Sequence, residues 1–380
     1  MNYLERVANP NNLYEAFKKA SKGSNWKLSV QRYEADLLTN IRKTELELLD
    51  GSYKQGPFLE FEVNERGHNR QIKAPGIADR VVQGSLCNNV LLPELRKYLI
   101  YDNGASLKGK GVDFSRRRLE THLRKYYRHF RNEGYFLHID FRKFFDNIRH
   151  DKLLEMFEEK LGDDDSVMPL IQQIVESFKV DISYADHDLM DEAFNSMEYA
   201  KIPKEKKTGE RFMHKSLGIG SQVSQVVGIF FPTRVDTYCK VVRGCKYYGR
   251  YMDDIYIIHP DKDFLKSVLT GVRKQAAELG LFINEKKTQM FKLSHGFTFL
   301  KIKYNLTETG KIIKRPAREN ITRQRRKMKK FKHLVADGKM TRKDAEEEVK
   351  SWLGSMKKLN AYRTRQNIRE LWRELFGSVI

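Results

Sequence analysis

The sequence predicts an α+β chain in which short antiparallel strand pairs are set among longer amphipathic helices. Three observations carry this prediction. The runs Tyr247-Tyr248-Gly249-Arg250-Tyr251 and Ile255-Tyr256-Ile257-Ile258 are apolar and rich in β-forming residues, and they flank the adjacent carboxylates Asp253 and Asp254 like the arms of a hairpin. Phe58-Leu59-Glu60-Phe61-Glu62-Val63 alternates as a half-buried strand does, turns at Asn64-Glu65-Arg66-Gly67 and returns through Arg70-Gln71-Ile72-Lys73. Around these pairs, apolar residues recur at helical spacing.

In chain order, residues 11–51 read as helical, with Leu13, Ala16 and Phe17 on one face and a second amphipathic stretch around Leu37, Leu38, Ile41, Leu46 and Leu49. Pro75-Gly76 closes the first strand pair. A helix carrying Val81, Val82, Leu86, Val90 and Leu91 follows, then a Gly/Lys-rich loop at 104–111. Tyr135-Phe136-Leu137-His138-Ile139 reads as a buried strand that ends at Asp140, before helices at about 153–161 and 167–178. Asp163-Asp164-Asp165 reads as a solvated loop and helix start. The polar stretch at about 181–215 has no period and suggests no function. Leu217-Gly218-Ile219-Gly220-Ser221 opens an apolar helix running through Val235. Beyond the hairpin come a helix with Phe264, Leu265, Val268, Leu269, Val272 and Leu279, a strand pair through Phe297-Thr298-Phe299-Leu300-Lys301-Ile302, and a basic helical end with a turn at Asp337-Gly338.

Two anions side by side at the tip of an apolar hairpin repel each other. The arrangement is stable when a cation sits against it, and a divalent metal is the usual one. A solvated turn is the plainer explanation, because Asp is a common turn residue. Asp140 shifts the balance. It stands at the carboxyl end of a strand, where open sheets hold ligands, although by itself it could cap the following helix. Asp140, Asp253 and Asp254 converging on two metals about 3.5–4 Å apart could clamp both oxygens of an in-line phosphoryl displacement.

The 380 residues carry 71 Lys and Arg against 50 Asp and Glu, a net charge of +21. Such an excess attracts phosphate backbones with strong salt dependence. The cations cluster. Residues 311–332 hold Arg323, Arg325, Arg326, Lys329 and seven other Lys or Arg residues, with Glu319 as the only acid. Arg116-Arg117-Arg118 leads a second cluster interleaved with Tyr126, Tyr127, His129 and Phe130. Either could be a solvated helix face; beside a phosphoryl-transfer site, a nucleic-acid track is the better reading. Cys87, Cys239 and Cys245 have neither zinc-ligand spacing nor a disulfide pattern. With no apolar run long enough to span a bilayer and no signal-peptide pattern, the expectation is a cytoplasmic protein with no membrane partner.

Strand–Asp140–helix, Gly220-x-x-x-Ser224-Gln225 opening a helix, Tyr251-Met252-Asp253-Asp254, Asn284-Glu285-Lys286-Lys287-Thr288 and Phe297-x-Phe299-Leu300 resemble, in order and rough spacing, the successive palm motifs of a reverse transcriptase. The resemblance covers about residues 57–304. Ile219-Gly220-x-x-x-Ser224-Gln225 is similar to the enzymes of diversity-generating retroelements and to related antiviral bacterial reverse transcriptases. The resemblance implies a right-hand polymerase fold, with N-terminal helices and fingers over 1–133, a palm with an antiparallel sheet over 134–304 interrupted by the polar insertion, and a basic helical thumb over 305–380. It implies Asp140, Asp253 and Asp254 as catalytic ligands of two Mg²⁺ ions, with Mn²⁺ as the substitute. It places Arg70, Arg80, Phe145, Gln225 and Lys287 around the nucleotide. Lys108 stands where relatives carry an Arg, and a Lys offers phosphate a point charge without the bidentate fork.

Phe145 lies five residues after Asp140, where the family carries an aromatic residue under the sugar. A ring there fills the space of a 2′-hydroxyl and gives it no hydrogen-bond partner, so deoxynucleotides are the expected substrate. The expected partners are an RNA template, a DNA product and dNTPs, with an accessory protein or second polymerase subunit as a further candidate. Three roles follow: antiviral defence with a noncoding RNA, slightly favoured by the 181–215 insertion; a mutagenic diversity-generating retroelement; and, less favoured by the intact carboxylates, a non-catalytic RNA-binding maturase.

Overall fold

The computed structural model describes residues 1–65, 68–185 and 187–380. Arg66 and Gly67 of the expected turn, and Asp186 of the polar stretch, lie outside the described residues. Four antiparallel strands form the central sheet, in the order Gln289–Lys292, Tyr135–Ile139, Asp254–His259, Tyr247–Tyr251. Both faces of this sheet are covered, which explains its continuous apolar runs. Leu137, Ile139, Ile255 and Ile257 face a large core shared with helices Ile77–Leu86, His150–Leu161, Gln222–Phe230 and Lys262–Glu278. The alternate residues Phe136, Tyr256 and Ile258 face a second core with helix Val112–Phe130 and strands Phe297–Phe299 and Ile302–Leu306. There Phe136 stacks on Phe297 at 3.6 Å between ring centres.

The N-terminal helices Tyr3–Ala8, Pro10–Ser21, Leu28–Ala35 and Leu37–Leu49 start where the sequence supplies caps. Asn2 closes a capping box with Glu5, and Asn9 caps a helix that begins with Pro10. Asp164 accepts a bond from the Tyr3 backbone N–H, so the acidic run tethers the N-terminus, and the next helix starts only beyond it, at Met168. Strands Leu59–Glu65 and His68–Ala74 pair as expected, with Val63 opposite Arg70. The second strand docks on the loop before Gln225, where Lys73 N donates to Ile219 O at 3.0 Å.

The expected extent of the helical end needs correction. The basic end is not helical from residue 305, because Ile312–Pro316 adds a third strand to the Phe297–Phe299/Ile302–Leu306 sheet. Its hairpin turns at Gly310, whose φ of +81° suits glycine, and Ile312-Ile313 gives it strand character despite the surrounding cations. The helical unit begins at Arg318. Helices Arg318–Ala336, Arg342–Ser355 and Tyr362–Phe376 enclose their own core of Met328, Phe331, Val349, Leu353, Ile368 and Trp372. Gly338, with φ +69°, ends the first turn between them as expected.

The polar stretch is ordered by a small core. Val180–Asp181 pairs with Phe212–Met213, and Phe194 on helix Asp191–Ser196 packs with Val180 and Ile182. The three cysteines are free and buried. No helix among the described residues is long and apolar enough to cross a membrane.

Candidate active site

Tyr251 pairs with Asp254, which leaves Met252 and Asp253 as a two-residue hairpin loop. Met252 has φ +55°, a left-handed conformation that disfavours a side chain by about 1–2 kcal/mol. The strain is held by a buried ion pair. Arg250 is fully enclosed; its Nε donates to Asp236 Oδ1 at 2.8 Å and its Nη2 to Asp236 Oδ2 at 2.5 Å. Tyr248 Oη donates to the same carboxylate at 2.5 Å. The free edge of the guanidinium reaches the Met252 carbonyl at 3.2 Å and the Ile229 carbonyl at 2.8 Å, tying the loop to the neighbouring helix.

Strand pairing brings Asp140 to the same end of the sheet. Ile139 lies opposite Ile255, so one further step sets Asp140 against Asp254. The segment 284–288 clasps Asp140. Asn284 N donates to its carbonyl at 2.8 Å, Asn284 Nδ2 to Oδ1 at 2.9 Å, Thr288 Oγ1 accepts its N–H at 3.3 Å, and Lys287 Nζ pairs with Oδ2 at 3.3 Å. His138 Nε2 meets Asp254 Oδ1 at 3.0 Å. Burial raises the Asp140 carboxyl against the opposing pull of Lys287. Burial alone would lower the His138 imidazole, but the bond to Asp254 outweighs it and raises it. Asp253 is pushed up to about 7, first by burial and then by the charges of Asp254 and Asp140.

Among the described residues no three acidic, histidine or cysteine side chains already stand close enough to hold an ion jointly. Asp140 and Asp254 are turned onto Lys287, Asn284 and His138 instead. The donor set nonetheless fits a hard divalent cation. It is all carboxylate oxygen, and an acid raised by burial and by two like charges is what such a cation relieves.

Phe145 lies beside the hairpin tip. A Cβ on Gly228 would stand 3.1 Å from Met252 Sδ and 3.2 Å from the Phe145 ring, so the three residues meet. Gln225 is exposed three residues earlier on the same helix, on the face that carries Gly228. Lys287 is exposed beside Asp140, Arg80 is half-buried with Nε on Pro75 O at 3.0 Å, and Arg70 is exposed on the outer hairpin. Lys108 is exposed in its loop.

The arginine cluster of helix Val112–Phe130 needs correction, because two of its members point inward. Arg116 donates to Leu300 O at 2.6 Å and Arg118 pairs with Asp102 at 2.7 Å, while Arg117 is exposed. Helical phase is the reason, since 116 and 118 flank the buried face of Ser115 and Leu119. Arg323, Arg325, Arg326 and Lys329 are all exposed on helix Arg318–Ala336, opposite its buried Gln324, Met328 and Phe331. Sequence reasoning missed His138, Asp236 and Arg250. It quoted Asn284 and Thr288 in a motif without giving them a role.

A family model described as "Reverse transcriptase (RNA-dependent DNA polymerase)" matches residues 80–304. No curated protein matches the chain. Among solved structures, the chain is similar to telomerase from Candida albicans in complex with the TWJ fragment of telomeric RNA, at 12% identity and a TM-score of 0.46, covering 86% of this chain and 60% of that one. It is similar to apo telomerase from Candida tropicalis truncated from the C-terminal domain, at 16% and 0.46, covering 68% and 55%. The apo telomerase from Candida tropicalis gives 15% and 0.46, covering 85% and 63%. The chain thus spans roughly three fifths of the length of the telomerase chains it matches. Because the family match takes in more than half of the chain, with Asp140 and the Asp253-Asp254 hairpin inside it, the chain belongs to the reverse transcriptase (RNA-dependent DNA polymerase) family, and its α+β architecture is that family's right-hand polymerase fold.

Proposed function

We propose that this chain is an RNA-directed DNA polymerase that extends a primer with dNTPs, with Asp140, Asp253 and Asp254 as the catalytic carboxylates. The observation that carries the reading is the meeting of these acids at one end of the central sheet, where burial first, and then the charges of Asp254 and Asp140, lift Asp253 to about 7. Divalent cations are general in the family, and a pair of Mg²⁺ ions, or Mn²⁺, held there would supply the charge that activates the primer hydroxyl and steadies the leaving pyrophosphate. Asn284 and Thr288 hold Asp140 in place for this role, and the Arg250–Asp236 pair holds the hairpin loop. Lys287 meets the triphosphate, Phe145 closes the space of a 2′-hydroxyl, and Gln225 lines the same pocket. Fingers over 1–133, palm over 134–304 and thumb over 305–380 enclose the duplex, gripped through its backbone by Arg323, Arg325, Arg326 and Lys329.

For the biological role, the 181–215 insertion supports a defence polymerase working from a noncoding RNA. Ile219-Gly220-x-x-x-Ser224-Gln225 supports the alternative of a diversity-generating retroelement. Primer extension on RNA templates, with Asp253→Asn as the control, tests the activity; robust synthesis by that variant overturns the carboxylate assignment. Sequencing the RNA and DNA that co-purify with the protein separates the roles. A stereotyped cDNA of one noncoding RNA supports defence, and a variable repeat rich in adenine changes supports the retroelement.

A further inference from the structure

We propose that residues 181–215 act as a brace that fixes the turn carrying Phe145, so that Tyr199, Asn195 and Lys215 are positioning residues for the nucleotide's sugar. The inference rests on the reading of Phe145 given above. The turn at 142–147 joins the Asp140 strand to helix His150–Leu161, and four of its six side chains are held by the insertion. Arg142 Nη2 donates to Asn195 O at 2.8 Å, and Lys143 Nζ donates to Phe194 O at 3.2 Å and to Met197 O. Asp146 Oδ1 accepts from Tyr199 Oη at 2.6 Å. Asn147 donates to Asn195 Oδ1 at 2.6 Å and accepts from Lys215 Nζ at 3.1 Å.

The holding side is built for the task. Phe194 is fully buried, stacked on Tyr199 at 4.8 Å and lying under the ammonium groups of Lys143 and Lys215 at 5.6 and 3.9 Å. Lys215 is itself paired with Asp191 at 2.7 Å. The turn needs holding, because Lys143 has φ +43°, and non-glycine strain of that kind persists only where surrounding contacts over-determine it. Of the two residues the insertion leaves alone, Phe144 is buried in the core and Phe145 turns toward Gly228 and Met252. A ring that selects by steric fit must be placed within about half an ångström, which packing and charge-assisted bonds to its own turn provide.

The test is a double-mutant cycle of Tyr199→Phe and Phe145→Ala, read by steady-state kinetics with dNTPs and rNTPs on a primed RNA. Tyr199→Phe keeps the stack on Phe194 and removes the hydroxyl that bonds Asp146 and also interacts with Ser216. It is expected to raise KM for dNTP about 5–10-fold and to lower dNTP-over-rNTP discrimination by a similar factor, with kcat within about twofold, as loss of one hydrogen bond acting on placement would give. In the Phe145→Ala background it should change discrimination no further, because it acts through that ring. Unchanged KM and discrimination, or an equal loss with and without Phe145, overturns the brace. Hydrogen exchange over 142–148 should quicken in Tyr199→Phe, and unaltered exchange also overturns it. That readout needs no polymerisation: a wild-type chain inert on every template refutes the proposed function, while exchange still decides the brace.

Discussion

Asp253→Asn should make the metal-free protein more stable while abolishing synthesis. A carboxyl held at about 7 in the folded chain, against 3.8 for an ordinary Asp, binds its proton more tightly folded than unfolded. Folding therefore loses stability as pH rises from about 4 to about 7 and is level above that. At about 1.4 kcal/mol per pH unit, the penalty at pH 8 comes to about 4 kcal/mol. An amide of the same shape has no charge to bury or to set against Asp254 and Asp140, so it escapes that penalty. The assay is urea unfolding of both proteins in EDTA at pH 8 and pH 5. The variant is expected to be more stable by up to about 4 kcal/mol at pH 8 and by about 1.5 kcal/mol at pH 5, because most of the wild-type penalty has then been neutralised. Added Mg²⁺ should stabilise the wild type and have little effect on the variant, which should still bind nucleic acid. A gap independent of pH, or a wild type more stable than the variant at pH 8, would refute the argument from a buried and crowded charge.

The hairpin and the Asp140 strand were legible because both faces of their sheet are buried. Burial on two sides forces a continuous apolar run, and that makes the acids at its ends conspicuous. Pairings between distant residues that follow no periodic rule were not legible. Arg250 looks like one more strand residue, and nothing within its run announces that Asp236, fourteen positions earlier, will enclose it. The three adjacent arginines at 116–118 were indistinguishable by composition; only the phase of helix Val112–Phe130 sends the outer two inward. The stretch 181–215 lacked a pattern for a related reason: its small core is completed by contacts to the 142–147 turn, so little of its order is periodic within itself. The strand Ile312–Pro316 was masked by the cations around it, although two consecutive isoleucines after a Thr-Gly turn carried the signal.

Phe145→Ala should admit ribonucleotides, lowering sugar discrimination by roughly 10–200-fold in single-nucleotide incorporation, the range that loss of one steric contact spans; unchanged discrimination would remove the steric argument. Arg250→Met should lower stability by about 3–5 kcal/mol in urea, since it strands the buried Asp236 carboxylate, and adding Asp236→Leu should restore much of that loss. The two basic helices should separate by the salt dependence of RNA–DNA duplex binding. Arg325 is exposed, so Arg325→Gln should reduce the slope of log affinity against log salt by nearly one, while stability stays within about 0.5 kcal/mol. Arg118 is spent on Asp102, which also has Lys240 at 3.0 Å and His122 at 3.7 Å. Arg118→Gln should therefore leave the slope untouched and lower stability by about 1–3 kcal/mol through a buried carboxylate that loses its arginine. If the slope instead followed Arg118 and ignored Arg325, the duplex would have to lie along the first helix and not the last, because an arginine that neutralises phosphate cannot also be closed on an internal acid.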